Sequence, residues 1–171
     1  MGRTTVAAAT VARGRIFAMM DADGDGVISA HDYLSRVDRA VQATGRSEDD
    51  PLVVAARGQA HKAWGAMDAN GDGKLTFEEY DAWVGADKFD NICRFALGAL
   101  FDLADADGDG ALDKAAFTML RTALNNAPGN AAAAFKALDA DGDGRVGRDE
   151  YLASIRSYVI GDTSPMGDAL Y

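Results

Sequence analysis

The chain has 171 residues, of which 27 are acidic and 17 basic, for a formal net charge of −10. That balance argues against nucleic acid or an anionic membrane surface as a partner, since both need clustered Lys and Arg. A hydrophobic content of 48% argues against disorder, and the length suffices for one buried core shared by two sub-lobes.

The first predicted helix, 4–20, is alanine-rich and interrupted by Arg13 and Arg15. It lacks the unbroken apolar region and cleavage site of a signal peptide, and no stretch of the chain approaches 18 apolar residues. A cytoplasmic protein is expected. The helix runs straight into DADGDGVISAHD at 21–32, and a second helix follows at 30–43. The linker QATGRSEDDPLVV contains a helix start signal in Ser47, Asp50 and Pro51, proline being favoured in a first turn. A third helix at 52–67 leads into DANGDGKLTFEE at 68–79, and a fourth is expected over 77–85.

GADKFDN at 85–91 is too short for a long charged helix between lobes, so the lobes should pack together. Helix 89–104 carries Cys93, the one cysteine, which reads as a small packing residue and fits a reducing compartment. DADGDGALDKAA follows at 105–116, then a helix at 114–125, stopped by Asn125, Asn126, Pro128 and Gly129. A helix at 130–138, DADGDGRVGRDE at 139–150 and a helix at 148–159 complete the pattern. The last segment, VIGDTSPMGDALY, is apolar for a tail. Ser164 and Pro165 should cap and start a short helix that docks between the lobes through Met166, Leu170 and Tyr171.

Four near-identical acidic dodecapeptides are one unit repeated. Their spacing fits an oxygen cage for a hard divalent cation, with ligands at positions 1, 3, 5, 7, 9 and 12 and glycine at 6. The loops hold 17 of the 27 acidic residues, so three bound divalent ions would take a formal −10 to about −4. In the first loop the candidate ligands are Asp21, Asp23, Asp25, the carbonyl of Val27, and Asp32. In the second they are Asp68, Asn70, Asp72, the carbonyl of Lys74, and Glu79; in the fourth, Asp139, Asp141, Asp143, the carbonyl of Arg145, and Glu150. Position 9 is Thr76 in the second loop and Gly147 in the fourth, which implies a ligand water. The third loop keeps Asp105, Asp107, Asp109 and Asp113 but ends in Ala116, which offers no oxygen, so it is expected to stay empty. Asp32 is one methylene shorter than glutamate; a tighter, six-coordinate first site would make Mg²⁺ a competitor there.

The flanks repeat in register. An aromatic stands four residues before each loop (Phe17, Trp64, Phe101, Phe135) and another directly after it (Tyr33, Tyr80, Phe117, Tyr151). Position 8 is always apolar (Ile28, Leu75, Leu112, Val146), which predicts a short two-stranded ribbon tying two loops together. His31 and His61 read as solvated or packed residues, and no nucleophile–base pair is visible, so no enzyme is expected.

These residues resemble the EF-hand superfamily along nearly the whole chain. Loop spacings of 47, 37 and 34 residues, with the compact middle link and apolar C-terminus, look most like calerythrin and the sarcoplasmic calcium-binding proteins. The DADGDG loops also resemble small actinobacterial calcium-binding proteins. The resemblance implies an all-α fold of four hands, eight helices in two paired lobes, with one or more hands degenerate and mainly buffering or transport roles. The group commonly loses its second hand, whereas here the damaged hand is the third. The expected organisation is a pair of hands at 1–87, a second pair at 88–160 and a docked segment at 161–171. The expected function is a monomeric calcium buffer or signal modulator binding about three Ca²⁺. The alternative is a calmodulin-like sensor exposing an apolar groove to a target protein.

Overall fold

Every dodecapeptide joins two helices, and three residues inside it form a strand. The computed structural model describes residues 2–171, with side chains from Val6 onward; Met1 lies outside them. Helix α1 (Gly2–Met20) passes through β1 (Val27–Ser29) into α2 (Ala30–Thr44), and α3 (Pro51–Met67) passes through β2 (Lys74–Thr76) into α4 (Phe77–Trp83). The short α5 (Ala86–Lys88) continues through a π-helical turn, Phe89–Cys93, into α6 (Arg94–Ala104). The second half repeats the plan: β3 (Ala111–Asp113), α7 (Lys114–Ala123), α8 (Pro128–Leu138), β4 (Arg145–Gly147), α9 (Arg148–Val159) and α10 (Pro165–Leu170).

The strands pair antiparallel, β1 with β2 and β3 with β4, placing Ile28 opposite Leu75 and Leu112 opposite Val146. All four side chains are buried. Loop-to-loop pairing through position 8 is therefore present in both halves. The flanking aromatics follow a rule that their spacing alone does not reveal. Each entering-helix ring packs on the exiting-helix ring of the other hand in its pair. Phe17 meets Tyr80 at 6.1 Å between ring centres and Trp64 meets Tyr33 at 5.8 Å. Phe101 meets Tyr151 at 5.4 Å and Phe135 meets Phe117 at 5.6 Å. Such contacts are favourable beyond the area they bury, and they lock the two hands of a pair to each other.

Several element boundaries differ from expectation by a few residues, and three of them have a plain local reason. Asp50 is the cap of α3, accepting from the Leu52 amide, while the Ser47 carbonyl accepts from the Asp50 amide and the Ser47 hydroxyl donates to Asp49. Pro128 opens α8 instead of only blocking α7, because its missing N–H would have no partner in a first turn anyway. Helix α7 ends at Ala123 and the chain turns at Asn125, whose φ of 77° is left-handed.

The halves share one continuous core, and arginines tie them together. The ten extra residues of the first linker contain Arg46, whose Nε donates to the Leu103 carbonyl at 2.8 Å and whose Nη2 reaches the Asp105 carbonyl at 3.3 Å. A cation thus sits on the carbonyl end of α6, where the helix dipole favours it. Arg39 does the same at the end of α7, donating to the Ala123 carbonyl at 2.8 Å. Arg13 of α1 bonds the Val159 carbonyl at 3.0 Å and Asp81 at 3.2 Å.

The segment after α9 forms the expected short helix, but packs chiefly on α8 and α9 of the second pair rather than between the lobes. Ser164 caps α10 through the Gly167 amide, and Met166 and Leu170 are buried against α8 and α9. Gly167 is required: a Cβ there would lie 2.5 Å from the Tyr158 ring. Tyr171 stacks on Tyr158 and accepts from Arg121 at 2.9 Å.

Candidate metal sites

Within each loop the acidic side chains first organise their own backbone. The position 1 aspartate accepts from the amide of the position 6 glycine: Asp21 from Gly26 at 2.9 Å, Asp68 from Gly73 at 3.0 Å, Asp105 from Gly110 at 2.9 Å, Asp139 from Gly144 at 3.0 Å. Position 3 accepts from the position 5 amide, and position 5 from the position 7 amide, in all four loops. The glycines at positions 4 and 6 have φ between 69° and 88°, a range open to glycine without strain. Each loop is thus wound into a coil held by its own side-chain oxygens.

Three loops bring carboxylates within 4.8 Å of one another. They are Asp21, Asp23, Asp25 and Asp32; Asp105, Asp107 and Asp109; and Asp139, Asp141 and Asp143. The first loop gathers its closing residue as well. Asp32 is buried, so the shorter side chain does reach the other three. In the second loop, Glu79 instead accepts from Asn70 Nδ2 at 3.3 Å and from the Thr76 amide at 2.9 Å. In the fourth, Glu150 is exposed and stands apart from the gathered aspartates. Asp113 of the third loop is spent on capping α7, accepting from the Ala116 amide at 2.8 Å, and is not in the cluster. The third loop therefore gathers three carboxylates, not four, yet they are arranged like those of the fourth.

A hard divalent cation suits these donors, which are all oxygen. The coils contain a more specific indication. Asp105 Oδ1 and Asp139 Oδ1 are buried without a hydrogen-bond partner, and an unpaired buried oxygen is costly until something cationic meets it. Crowding is visible in acidity too. Burial and the neighbouring Asp143 and Asp141 raise Asp139 above the ordinary carboxylate range, against the Gly144 amide that lowers it. For Asp21, burial acts upward, but hydrogen bonds from Gly26, Asp23 and Asp25 outweigh it and hold the group low.

Two contacts at the sites are invisible in the loop pattern. Arg145, whose carbonyl is a candidate ligand, sends its guanidinium across the ribbon to Asp109 of the third loop. Arg148 pairs with Asp102 at 2.9 Å and packs where any side chain on Gly98 would sit. The ribbon register, with Arg145 opposite Asp113, is what brings Arg145 within reach. His31 and His61 are both exposed. Cys93 is half-buried, and burial pushes its thiol up to about 12 despite nearby Arg36. No helix among the described residues is long and apolar enough to cross a membrane.

Comparison with known proteins agrees with this geometry. Residues 94–156 match the EF-hand domain pair, and residues 15–35 and 65–83 match the EF hand. "Probable calcium-binding protein CML16" of Oryza sativa subsp. japonica is 31% identical over 150 residues, covering 86% of this chain and 79% of that protein. Calerythrin of Saccharopolyspora erythraea is 24% identical over 156 residues, covering 85% and 88%. A solved calcium-binding protein from Streptomyces coelicolor, described as a basis for calcium-mediated regulation, superposes with a TM-score of 0.74 at 30% identity, covering 91% of this chain and 99% of that one. With four helix–loop–helix units paired through their loops and these relatives spanning its length, the chain belongs to the EF-hand calcium-binding proteins.

Proposed function

We propose that this protein is a calcium buffer or signal modulator that takes up about three Ca²⁺ through its first, second and fourth loops. Asp21, Asp23, Asp25 and Asp32 would hold the first ion, with the Val27 carbonyl. Asp68, Asn70, Asp72 and Glu79 would hold the second with the Lys74 carbonyl, and Asp139, Asp141, Asp143 and Glu150 the third with that of Arg145. Bound calcium supplies two positive charges that cancel carboxylate repulsion. Because the aspartates are already wound by backbone amides, the remaining step is movement of the position 12 side chain, greatest for exposed Glu150. The compact first loop, closed by Asp32, is where Mg²⁺ would compete.

The observation that carries buffering over sensing is the state of the apolar side chains. Met20, Met67 and Met166 are buried, and the exposed large apolar residues (Val6, Val11, Leu52, Val54, Phe95) are scattered. A sensor of the calmodulin kind opens a methionine-rich groove, whereas here α10 already covers apolar surface of α8 and α9. A chain of this kind would work as a monomer, and its single cysteine suits a reducing, cytoplasmic setting. We read it as a binding protein without catalytic activity.

Calorimetric titration with calcium, with and without magnesium, tests the stoichiometry: about three sites are expected, and one or none would defeat the reading. Dye fluorescence tests the role, with little change expected on adding calcium. A large rise would instead favour the sensor reading, which the regulatory description of the Streptomyces coelicolor protein supports.

A further inference from the structure

Arg36, on α2, is 7% exposed and has no counter-ion in the chain. Its Nη1 donates to the Met20 sulfur at 3.6 Å, its guanidinium lies 5.2 Å from the centre of the Tyr33 ring, and its Nε is buried without a partner. Among the described residues no carboxylate pairs with it. Asp32, one turn earlier on α2, gives its carboxylate to the first loop and to the Ser29 amide. Cys93 borders the same space but supplies no anion, since burial pushes its thiol up to about 12. Arg121 shows how this protein settles a buried arginine: its three nitrogens donate to Asn126, Tyr151 and Tyr171 at 2.8 to 2.9 Å. Arginine cannot shed its proton to escape burial, so the charge of Arg36 is left for something outside the chain to meet.

A cavity of about 50 Å³ lies beside Arg36 between the halves, and a second of about 20 Å³ shares Tyr33, Arg36 and Leu97 with it. A water needs roughly 10–15 Å³ by this measure, so there is room for an ion little larger than a water and none for a molecule with an organic body. Arg36 is the one charged side chain among the residues lining either space. Tyr33, Tyr80 and Tyr171 line the larger one with it, and a phenol is a hydrogen-bond donor at neutral pH. The Tyr171 oxygen already accepts from Arg121, which leaves its own hydrogen to give. Met19, Cys93 and Tyr171 are half-buried, so the space is not sealed from solvent. A guanidinium and phenol donors, with no carboxylate among them, select an anion. Water could accept from Nε but would leave the buried charge unmatched. The negative net charge of the chain does not forbid this. Most loop carboxylates face solvent and are screened, whereas attraction to an adjacent guanidinium in the interior is not.

We infer that the cavity at Arg36 is a binding site for one monoatomic anion of the halide class, chloride above all, held by the Arg36 guanidinium between the two halves. The site is separate in place and chemistry from the calcium loops. Its ion binds the folded chain alone and so stabilises it by mass action. The first test locates the ion: crystals of the full-length calcium-loaded protein, grown in sodium bromide, should show one anomalous peak within hydrogen-bond distance of Arg36 Nε. The second measures its effect. Thermal melting is followed against sodium chloride, with ionic strength held constant by sodium gluconate, whose anion is too large to enter, and with calcium added as gluconate. A saturating rise of roughly 2–5 °C is expected for the wild type. Arg36→Met should lose the saturating part, its apparent chloride affinity falling at least about tenfold with the loss of a charged hydrogen bond. General salt effects act on both proteins and cancel in that comparison. The variant should fold, since an apolar side chain of similar volume commonly replaces a buried charge without loss of stability; the bromide position in the wild type decides the matter if it does not. Calcium stoichiometry measured in the same gluconate buffer keeps failure of this site distinct from failure of the loops. Water alone at Arg36, bromide only at the surface as an adventitious ion only, or the same saturating rise in Arg36→Met would each overturn the assignment.

Discussion

The N-terminal and C-terminal pairs of hands start from nearly the same loops and close them in different ways. In the first pair, position 9 is Ser29 or Thr76 and position 12 is Asp32 or Glu79, and each pair forms a reciprocal capping box at the start of the exiting helix. The residue that would close the cage therefore also holds the helix. In the second pair these duties are separated. The third loop has a cap, Asp113, but no carboxylate at position 12; the fourth has a candidate closing ligand there, Glu150, but Gly147 offers no cap. The position 1 aspartates differ accordingly. Asp21 and Asp68 use both oxygens on backbone amides, whereas Asp105 and Asp139 each keep one buried oxygen unpaired. Shared duty favours a first pair that is shaped before the ion arrives; separated duty leaves the second pair more dependent on the ion or on outside support.

That support is Arg121, and its removal is the largest expected effect. Fully buried on α7, it ties the exiting helix of the third hand to Tyr151 of α9 and Tyr171 at the chain end. Arg121→Leu leaves two tyrosine hydroxyls and Asn126 without their donor, and should cost about 3–5 kcal/mol, in the range for breaking a buried charged network. Urea unfolding without calcium measures this. Tyr171→Phe, which removes one acceptor, should cost only about 1–2 kcal/mol. If the two variants are equally stable, the C-terminal anchor is not what supports the second pair.

Next in size are the closing glutamates. Glu79→Gln and Glu150→Gln should each weaken one calcium site at least about tenfold, since a bidentate carboxylate becomes a neutral amide. The comparison sharpens in the calcium-free state. Gln at 79 still accepts from the Thr76 amide and Gln at 150 has no such bond to keep, so neither should shift the apo melting temperature much. Full calcium stoichiometry in Glu150→Gln would remove the fourth loop from the proposed set.

Much of this was legible in the chain because it rests on local rules. Aspartates at alternate positions coil a backbone around themselves, glycines at 4 and 6 permit the turns, and apolar residues at position 8 pair as strands. Ser164 and Pro165 begin a helix for equally local reasons. The rest depends on what faces what across the molecule. An arginine on α7 reads as a surface residue until its neighbours Tyr151 and Tyr171, 30 and 50 residues away, are seen to enclose it. Arg46 lies in a linker that looks like spacer, and only the packing of α6 beneath it gives that linker its purpose. The reciprocal exchange of aromatic rings between hands depends on the strand pairing that sets two hands side by side. Nor could position 12 alone rank the loops: Asp32 joins its cluster, whereas Glu79, held by the same kind of capping box, and Glu150, beyond the uncapped Gly147, do not.

The smallest effects test the capping difference directly. Ser29→Ala and Thr76→Ala each remove one side-chain cap and should destabilise the calcium-free protein by about 1 kcal/mol. Asp113→Ala should cost about the same, although its loop has no closing ligand, since its carboxylate holds the Ala116 amide. The reverse change belongs in the fourth loop. Gly147 has φ −76° and ψ 150°, ordinary extended values that a serine adopts without strain. A Cβ there would meet Glu150 Cδ at 3.8 Å, a normal contact. Gly147→Ser should therefore stabilise the apo protein by roughly 0.5–1 kcal/mol, part from the new cap and part from a less flexible unfolded chain. It should also draw Glu150 toward the geometry of Glu79 and raise calcium affinity at that loop. A stabilised variant with unchanged calcium affinity would show that the cap steadies the helix without placing the ligand, and that the two pairs differ in fold stability alone.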